Sequence, residues 1–212
     1  MGRLIDQLAP EFGFEVIARV DVDRDETPQG ADVAVEFSIP SAVLGNVTQA
    51  SGLQIPIVIG TTGWQDHLAA VKSEIEKNNT AAVWSPNFSI GVNVFTRLVS
   101  EAARLLQDDP SYGAWAWEIH HITKKDAPSG TLLKLVESMR AAGYSRPIDT
   151  SSNRAGAHPG THEIGFDSAA DTITIRHAAR NREGFARGAL QAAQWIIGRK
   201  GWHEFSEVLF GG

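Results

Sequence analysis

One segment of fourteen residues, 118–131, holds the densest group of side chains that could carry out chemistry. His120 and His121 are adjacent in it, and histidine titrates near neutral pH, which suits proton transfer. On a strand, neighbouring side chains point to opposite faces, so one histidine could reach a cleft while the other packs beside it. Lys124 follows a few residues later. Its ammonium group could bind a carboxylate or donate a proton.

The end of the same segment is typical of the start of a helix. Ser129, Gly130 and Thr131 follow a proline, and the first turn of a helix offers free backbone N–H groups and the positive end of the helix dipole. Such a site attracts anions, and a glycine allows a ligand to approach closely. The segment therefore predicts a pocket for a small di-acid with a proton donor beside it.

The first half of the chain contains the elements of an α/β fold. Hydrophobic runs predict strands at 14–21, 32–37, 55–60 and 81–84, and helical spacing predicts helices at 41–50 and 65–78. Strands alternating with helices indicate a doubly wound, Rossmann-like parallel sheet with helices on both faces. Ligands of such sheets bind beyond the carboxyl ends of the strands.

The second half follows a different pattern. It predicts a helix at 92–107, a strand at 114–120, a helix at 129–142, a long loop at 145–160, strands at 161–166 and 172–177, and a final helix at 185–198. Clustered strands indicate a second, α+β domain inserted into the first. We expect residues 1–91 plus 183–212 to form a dinucleotide-binding domain, and residues 92–182 to form the inserted domain.

The opening residues differ from those of a usual nucleotide-binding domain. Such a domain begins with a strand and a glycine-rich turn, and the pyrophosphate lies on the following helix. Here the periodicity starts within that helix, at Leu4, Ile5 and Leu8. We therefore expect a dinucleotide-binding domain that is incomplete at its N-terminus, with Met1 at the end of the turn.

Several motifs resemble those of the dihydrodipicolinate reductases, enzymes of lysine and diaminopimelate biosynthesis. Residues 118–131 match the family signature E-x-H-H-x-x-K-x-D-A-P-S-G-T, and the start, Met1-Gly2-Arg3, resembles the end of its G-x-x-G-R-M-G turn. Further matches follow the family's order: Phe37-Ser-Ile-Pro40, Gly60-Thr61-Thr62-Gly63, residues 86–93 and Arg182-x-x-Phe185-x-x-Gly188-Ala189.

The resemblance implies a reductase that transfers hydride from NADH or NADPH to a small cyclic dicarboxylate, with no metal. It also implies that the inserted domain, residues 92–182, serves substrate binding and oligomerisation. His120 would be the catalytic proton donor or acceptor, and Lys124 a proton donor that also attracts a substrate carboxylate. The other implied substrate-binding residues are His121, Ser129, Gly130, Thr131 and Arg182. The implied cofactor-binding residues are Met1, Asp21, Gly60, Thr61, Thr62, Ser85, Pro86, Asn87 and Phe88.

Asp21 also bears on the choice of cofactor. A carboxylate at the end of the second strand of such a fold accepts hydrogen bonds from the ribose hydroxyls and repels the 2′-phosphate of NADP. Asp21 therefore favours NADH, but the nearby Arg24 could accommodate the phosphate. The sequence leaves both cofactors open.

Composition excludes several other classes of protein. Lys and Arg number 19 against 25 Asp and Glu, a net charge of −6, which disfavours a nucleic-acid binder. The chain has no cysteine, which excludes disulfides, thiol catalysis and cysteine-ligated metals. It has no apolar run of membrane-spanning length. We expect a cytoplasmic enzyme, and the resemblance implies a homotetramer, to which the aromatic strand face of Trp115 and Trp117 could contribute.

Two alternatives remain on the residues alone. His158 and His162 have the i, i+4 spacing of some metal hydrolases, but Pro159 and Gly160 between them disfavour the helix that this spacing requires. A second alternative is a truncated family member that is catalytically impaired and acts only as a binding protein.

Overall fold

The chain folds into two compact units, described here from a computed structural model that covers residues 1–21, 23 and 26–211. Unit 1 comprises Met1–Ile90 together with the C-terminal segment that begins at Glu183. Unit 2 is Gly91–Arg182, which is inserted between the two segments of unit 1.

Unit 1 is built on a parallel sheet of four strands in the order β1-β2-β3-β8. The strands are β1 (Ala34–Glu36), β2 (Ile57–Ile59), β3 (Ala81–Trp84) and β8 (Gly201–Glu204). The helices are α1 (Gly2–Leu8), α2 (Val43–Gly52), α3 (Leu68–Lys77), α6 (Glu183–Ile196) and α7 (Phe205–Phe210), and the N-terminal residue of the long helix α4 (Ile90–Leu106) also belongs to this unit.

Alternation along the strands places a helical layer on each face of this sheet. Val58 packs in a core with α1 and α6. Its neighbours Ile57 and Ile59 pack on the other face, in a core with α2 and α3. All three side chains are fully buried or nearly so, as expected for a central parallel strand that is covered on both sides.

Unit 2 contains a mixed sheet in the order β5-β4-β6-β7. Its strands are β4 (Gly113–His120), β5 (Ile148–Arg154), β6 (Thr161–Asp167) and β7 (Thr172–Ala178). β4 pairs in parallel with β5 and antiparallel with β6, and β6 pairs antiparallel with β7. Residues of α4 and of α5 (Gly130–Ala141) form one core with the inner face of this sheet. The two units confirm the predicted Rossmann-like parallel sheet with an inserted α+β unit.

Three predicted elements differ in the structure. Residues 14–21 form no strand, and they pair with none of the described strands. The predicted loop at 145–160 contains β5, whose polar sequence Ile-Asp-Thr-Ser-Ser-Asn-Arg lacks a hydrophobic alternation. The short elements β8 and α7 at the C-terminus were not predicted.

No helix among the described residues is both long enough and apolar enough to cross a membrane.

Candidate active site

β4 carries the polar centre of unit 2 on its buried face. Ala114, Ala116, Glu118 and His120 alternate along this strand, and all four are buried. The two alanines pack in the core of unit 2. Because successive inward positions continue the same face, Glu118 and His120 extend from that core toward the carboxyl end of the strand.

The Glu118 carboxylate is completely buried and binds donors from several elements. Its Oε1 accepts hydrogen bonds from the Ser129 backbone N–H at 2.8 Å, from Ser152 Oγ at 2.9 Å and from an Arg154 guanidinium nitrogen at 3.0 Å. Its Oε2 accepts a hydrogen bond from Ser129 Oγ. Burial alone would raise the pKa of Glu118, but the hydrogen bonds from Ser129, Arg154 and Ser152 outweigh it and lower this pKa to about 2. The carboxylate is therefore ionised.

Ser129 joins Glu118 to the start of α5. Its hydroxyl accepts a hydrogen bond from the Leu132 backbone N–H at 3.2 Å, which makes it the N-cap of the helix. The next residue, Gly130, is exposed, and a Cβ added there would meet no atom within 4 Å. Thr131 is half-buried. The first turn of α5 therefore has open space around it and backbone N–H groups that can receive an anion.

The loop between β4 and α5 contains the remaining polar residues of the signature. His121 lies directly after the last residue of β4, and its Nδ1 is 2.7 Å from Thr123 Oγ1. The Lys124 ammonium group is 2.7 Å from an Asp126 carboxylate oxygen. Arg154 also donates to the Asp126 backbone carbonyl, so the same guanidinium contacts both Glu118 and this loop.

Two histidines lie against the Glu118 carboxylate. His120 Nδ1 is 3.5 Å and His162 Nε2 is 3.3 Å from Oε2, and the two rings meet edge to face at 5.0 Å. Burial lowers the pKa of His120, although Glu118 acts in the opposite direction. Burial also lowers the pKa of His162, to about 4, with a further contribution from His120. Both rings are therefore largely neutral near pH 7.

Glu118, His120 and His162 could be read as a metal site, since one ligand atom from each lies within 4.8 Å of the others. The donors already on Glu118 argue against this, because they occupy its lone pairs and include the positively charged Arg154. His162 belongs to β6 rather than to a helix, so its spacing from His158 does not place the two rings on one helical face. The cluster does not favour a metal hydrolase.

In unit 1, the predicted cofactor loops follow adjacent parallel strands. Gly60–Thr62 follows β2, and the segment 85–88 follows β3. The Gly60 N–H donates to the Glu36 carbonyl at 2.9 Å, and the Ser38 N–H donates to Thr61 Oγ1 at 2.7 Å. These bonds hold the carboxyl ends of β1 and β2 together, where doubly wound sheets bind their ligands.

The residues of these loops differ in their burial and in their contacts. A side chain at Gly60 would overlap the Phe37 ring, which explains the glycine. Ser85 Oγ accepts a hydrogen bond from the Asn87 N–H at 3.1 Å, and Phe88 is buried in the core. Thr62 and Pro86 are exposed.

Two further predicted cofactor residues lie near the start of the chain. Met1 precedes α1 as its N-cap and packs against the core of unit 1. Asp21 is exposed in an irregular segment, so the prediction that it ends a strand is wrong. Arg24 lies outside the described residues.

Arg182 is the last residue of unit 2. It is exposed and precedes α6 directly. Among the described hydrogen bonds and ion pairs of unit 2, none joins it to His120, Lys124 or α5.

Sequence reasoning placed three residues of this centre outside the reductase site: Glu118 and Arg154 were given no role, and His162 was considered only as a metal ligand. The alternation of β4 could have revealed Glu118, because a charged residue at an inward position of a strand requires partners. Arg154 and His162 depend on strand register. Arg154 is paired with His120 across β4 and β5, and His162 with Glu118 across β4 and β6; no local pattern contains that information.

Two family models match the chain over most of its length. The model described as "Dihydrodipicolinate reductase, N-terminus" matches residues 4–88, and "Dihydrodipicolinate reductase, C-terminus" matches residues 91–209.

Individual relatives agree with this match. The protein named 4-hydroxy-tetrahydrodipicolinate reductase from Christiangramia forsetii is 33% identical over 99% of this chain and 93% of its own length. The one from Methanosarcina mazei is 36% identical over 93% of this chain and 80% of its own length. The solved structure of dipicolinate-bound dihydrodipicolinate reductase from Paenisporosarcina sp. TG-14 has a TM-score of 0.71 at 24% identity, covering 82% of this chain and 71% of that chain. This chain belongs to the dihydrodipicolinate reductase family.

Proposed function

We propose that the chain catalyses the NAD(P)H-dependent reduction of 4-hydroxy-tetrahydrodipicolinate to tetrahydrodipicolinate, a step of lysine and diaminopimelate biosynthesis. The observation that carries the proposal is the match of both family models in order, with relatives of that name at 33–36% identity. Replacing a hydroxyl by hydrogen takes up one hydride and one proton and releases water. The chain must therefore hold a hydride donor, bind a dianion and move a proton.

Unit 1 has the features that a nicotinamide cofactor needs. The loops Gly60–Thr62 and 85–88 follow adjacent parallel strands, and the buried Glu36 Oε2 at the same edge has no hydrogen-bond partner in the structure. We assign these loops, together with Met1 and Asp21, to the binding of NADH or NADPH. When bound, this cofactor supplies the hydride. The residues of the loops would orient the cofactor and would not themselves react.

Unit 2 has the features that a small dicarboxylate needs. Lys124 already pairs with a carboxylate, that of Asp126, at 2.7 Å, and a substrate carboxylate could take the place of this partner. The N–H groups of Gly130 and Thr131 can receive an anion at the start of α5, and His121 lies in the same loop as Lys124. Dipicolinate, a dicarboxylate, is bound in the relative from Paenisporosarcina. Arg182 is the less supported member of the proposed substrate site.

The proton has two candidate donors in this unit. The His120 side chain is only 10% exposed, which restricts its exchange with bulk water. Its ring is therefore suited to deliver or remove a proton at one defined atom, Nε2, since Nδ1 faces Glu118. The positive charge of Lys124 would stabilise negative charge that develops on the substrate ring.

The assembly and location follow the family resemblance. We propose a homotetramer in the cytoplasm, acting on a free small molecule without nucleic acid or membrane. The sheet of unit 2 supports the homotetramer, because the half-exposed Trp115 and Trp117 lie on the face of β4 opposite the one that packs against α4 and α5.

The test is an assay of NADH and NADPH oxidation, with the substrate generated in the cuvette by a synthase. The chain should oxidise at least one of the two cofactors only when substrate is formed. Lys124→Met should lower kcat/KM by about 10²-fold or more, while Lys125→Met, its exposed neighbour, should retain the wild-type value. A folded chain that oxidises neither cofactor would overturn the proposed function. Equal activity of Lys124→Met and the wild type would remove Lys124 from the mechanism.

A further inference from the structure

The buried Glu118 carboxylate has no part in binding or proton transfer as proposed above, yet several elements of unit 2 donate hydrogen bonds to it. Its donors come from β5, from β6 and from the start of α5. Maintaining a buried charge is costly unless each lone pair is satisfied. The cost of burying this charge indicates that Glu118 has a role in the site.

The two carboxylate oxygens have different partners. Oε1 accepts the Ser129 N–H, Ser152 Oγ and Arg154, all within 3.0 Å. Oε2 accepts Ser129 Oγ and is 3.3 Å from His162 Nε2. The remaining neighbour of Oε2 is His120 Nδ1, at 3.5 Å. This Nδ1 is buried and has no hydrogen-bond partner among the described residues, so the Glu118 carboxylate is the nearby acceptor to which an Nδ1 proton could be donated.

The opposite edge of the His120 ring is held by the backbone. Gly160 has a φ of 136°, and a Cβ built on it would lie 2.9 Å from His120 Nε2. Gly160 precedes β6 directly, which places it next to the end of β4. The ring is thus confined between the Glu118 carboxylate at Nδ1 and a close glycine near Nε2. A larger residue at position 160 would push the ring away from this position.

We infer that Glu118 is a positioning residue that keeps a proton on His120 Nδ1, so that His120 Nε2 is the atom that takes up and delivers the catalytic proton. The same carboxylate holds the Ser129 N–H and hydroxyl, and thereby fixes the start of α5 relative to His120. One buried charge aligns the proton carrier with the anion-binding end of the helix. The role of His120 Nε2 in catalysis rests on the proposed function. The location of the proton on His120 Nδ1 is independent of that function.

Other charged groups also act on His120. They come from β5, from β6 and from the loop before α5: Arg154, His162, Lys124 and Asp126. Arg154 and Lys124 oppose protonation of His120, whereas Glu118 and Asp126 favour it. His162 is neutral near pH 7 and can donate its Nε2 proton to Glu118 or Ser129. Glu118 therefore contributes the main attraction that opposes the burial of the His120 ring.

The test is the tautomer of His120, measured by long-range proton–nitrogen correlation spectra of protein labelled in its histidine rings. The signals of His120 are those that disappear in His120→Asn. In the wild-type chain above the pKa of His120, we expect the proton on Nδ1, although free histidine prefers the Nε2 form. A wild-type His120 protonated on Nε2 would overturn the inference without any variant of Glu118. No substrate is needed, so an inactive chain with the Nδ1 form would refute only the proposed reductase function.

A second measurement removes the charge and retains the shape. In Glu118→Gln, we expect the pKa of His120 to fall by about one unit or more and the Nε2 form to become populated. The alkaline limb of kcat/KM, on which a proton donor loses its proton, should then move to lower pH. Glu137→Gln, the same change at an exposed position of α5, should leave the tautomer, the pKa and the activity unchanged. An unaltered His120 tautomer and pKa in a folded Glu118→Gln variant would contradict the role given to Glu118.

Discussion

The two histidines of the site in unit 2 share one carboxylate but differ in their surroundings. His162 is 5% exposed, in contact with Glu118 and Ser129, whereas His120 stands at the end of its strand with one edge toward Gly160. A neutral ring that donates a hydrogen bond to a carboxylate helps to fix the orientation of that carboxylate. His162 therefore serves as a fixed neutral donor, and His120 remains the ring that changes its protonation.

The neutral state of His162 predicts a pH dependence of stability. Its pKa is about 4 in the folded chain against 6.5 for an ordinary histidine. Between these values the unfolded chain binds a proton that the folded chain does not, so the free energy of unfolding falls as the pH is lowered from 6.5 to 4. The loss amounts to at most about 3 kcal/mol.

Urea denaturation at several pH values checks this expectation. His162→Gln should have a lower free energy of unfolding than the wild type near neutral pH. Between pH 6.5 and pH 4, however, its free energy of unfolding should fall much less than that of the wild type. His67→Gln removes an exposed histidine from unit 1 and serves as the control, which should decline as the wild type does. Glu118 acts separately, because its pKa is about 2 and its stabilisation is lost only as the pH falls below about 4.5. An identical slope for His162→Gln and the wild type would contradict the neutral, buried histidine.

At the scale of elements, the start of α5 is the part of unit 2 that combines open space with helical N–H groups. The Ser129 hydroxyl is engaged with Glu118 and with Leu132, so it supports the helix rather than offering a free group. Gly130 differs, because it is exposed and a Cβ there meets no atom within 4 Å. A side chain at this position would cost the fold little and would occupy the space above the helix.

Gly130→Ala therefore separates binding from folding. Alanine has a higher helix propensity than glycine, so the melting temperature should stay the same or rise slightly. Its methyl group would obstruct a carboxylate that approaches the N–H groups, so KM for the substrate should rise by about tenfold, the effect of ~1.4 kcal/mol. Gly45→Ala, within α2 and likewise free of nearby atoms, is the matched control: its melting temperature should also stay the same or rise, but its KM should equal that of the wild type. An unchanged KM in Gly130→Ala would remove the start of α5 from the substrate site.

The elements also show how far sequence reasoning reaches. Helix α5 and the strand β3 were predicted nearly to the residue, because their hydrophobic spacing is regular and Ser129 is a good N-cap. β5 was missed, since a polar edge strand is defined by its pairing with β4 rather than by its own pattern. Residues 14–21 show the converse, because a hydrophobic run forms no strand where it has no strand to pair with. His120 was identified from its type, but its contact with Glu118 also required the three-dimensional arrangement.

At the scale of the whole molecule, the described helices of unit 2 pack on one face of its sheet. The inner face, with Ala116 and Ile164, packs in the core with α4 and α5. On the other face, the Trp117 indole donates to Asn153 Oδ1 at 2.6 Å, and the Arg176 guanidinium lies 5.9 Å from its ring centre. Trp115 packs against Gly165, where a side chain would overlap the indole. Aromatic rings flanked by polar groups in this manner are typical of protein interfaces.

The proposed homotetramer predicts the mass of the particle in solution. Light scattering coupled to size-exclusion chromatography should give four times the chain mass of 22.9 kDa. Trp117→Lys should reduce this mass, because a buried ammonium group without a partner is costly at an interface. Leu133→Lys is the matched control, since Leu133 is 56% exposed on α5 and lies away from this face. If the wild type is a monomer, or if Trp117→Lys keeps the wild-type mass while remaining folded, then the aromatic face of β4 does not join the subunits, and Trp115 and Trp117 only cover the sheet of their own chain.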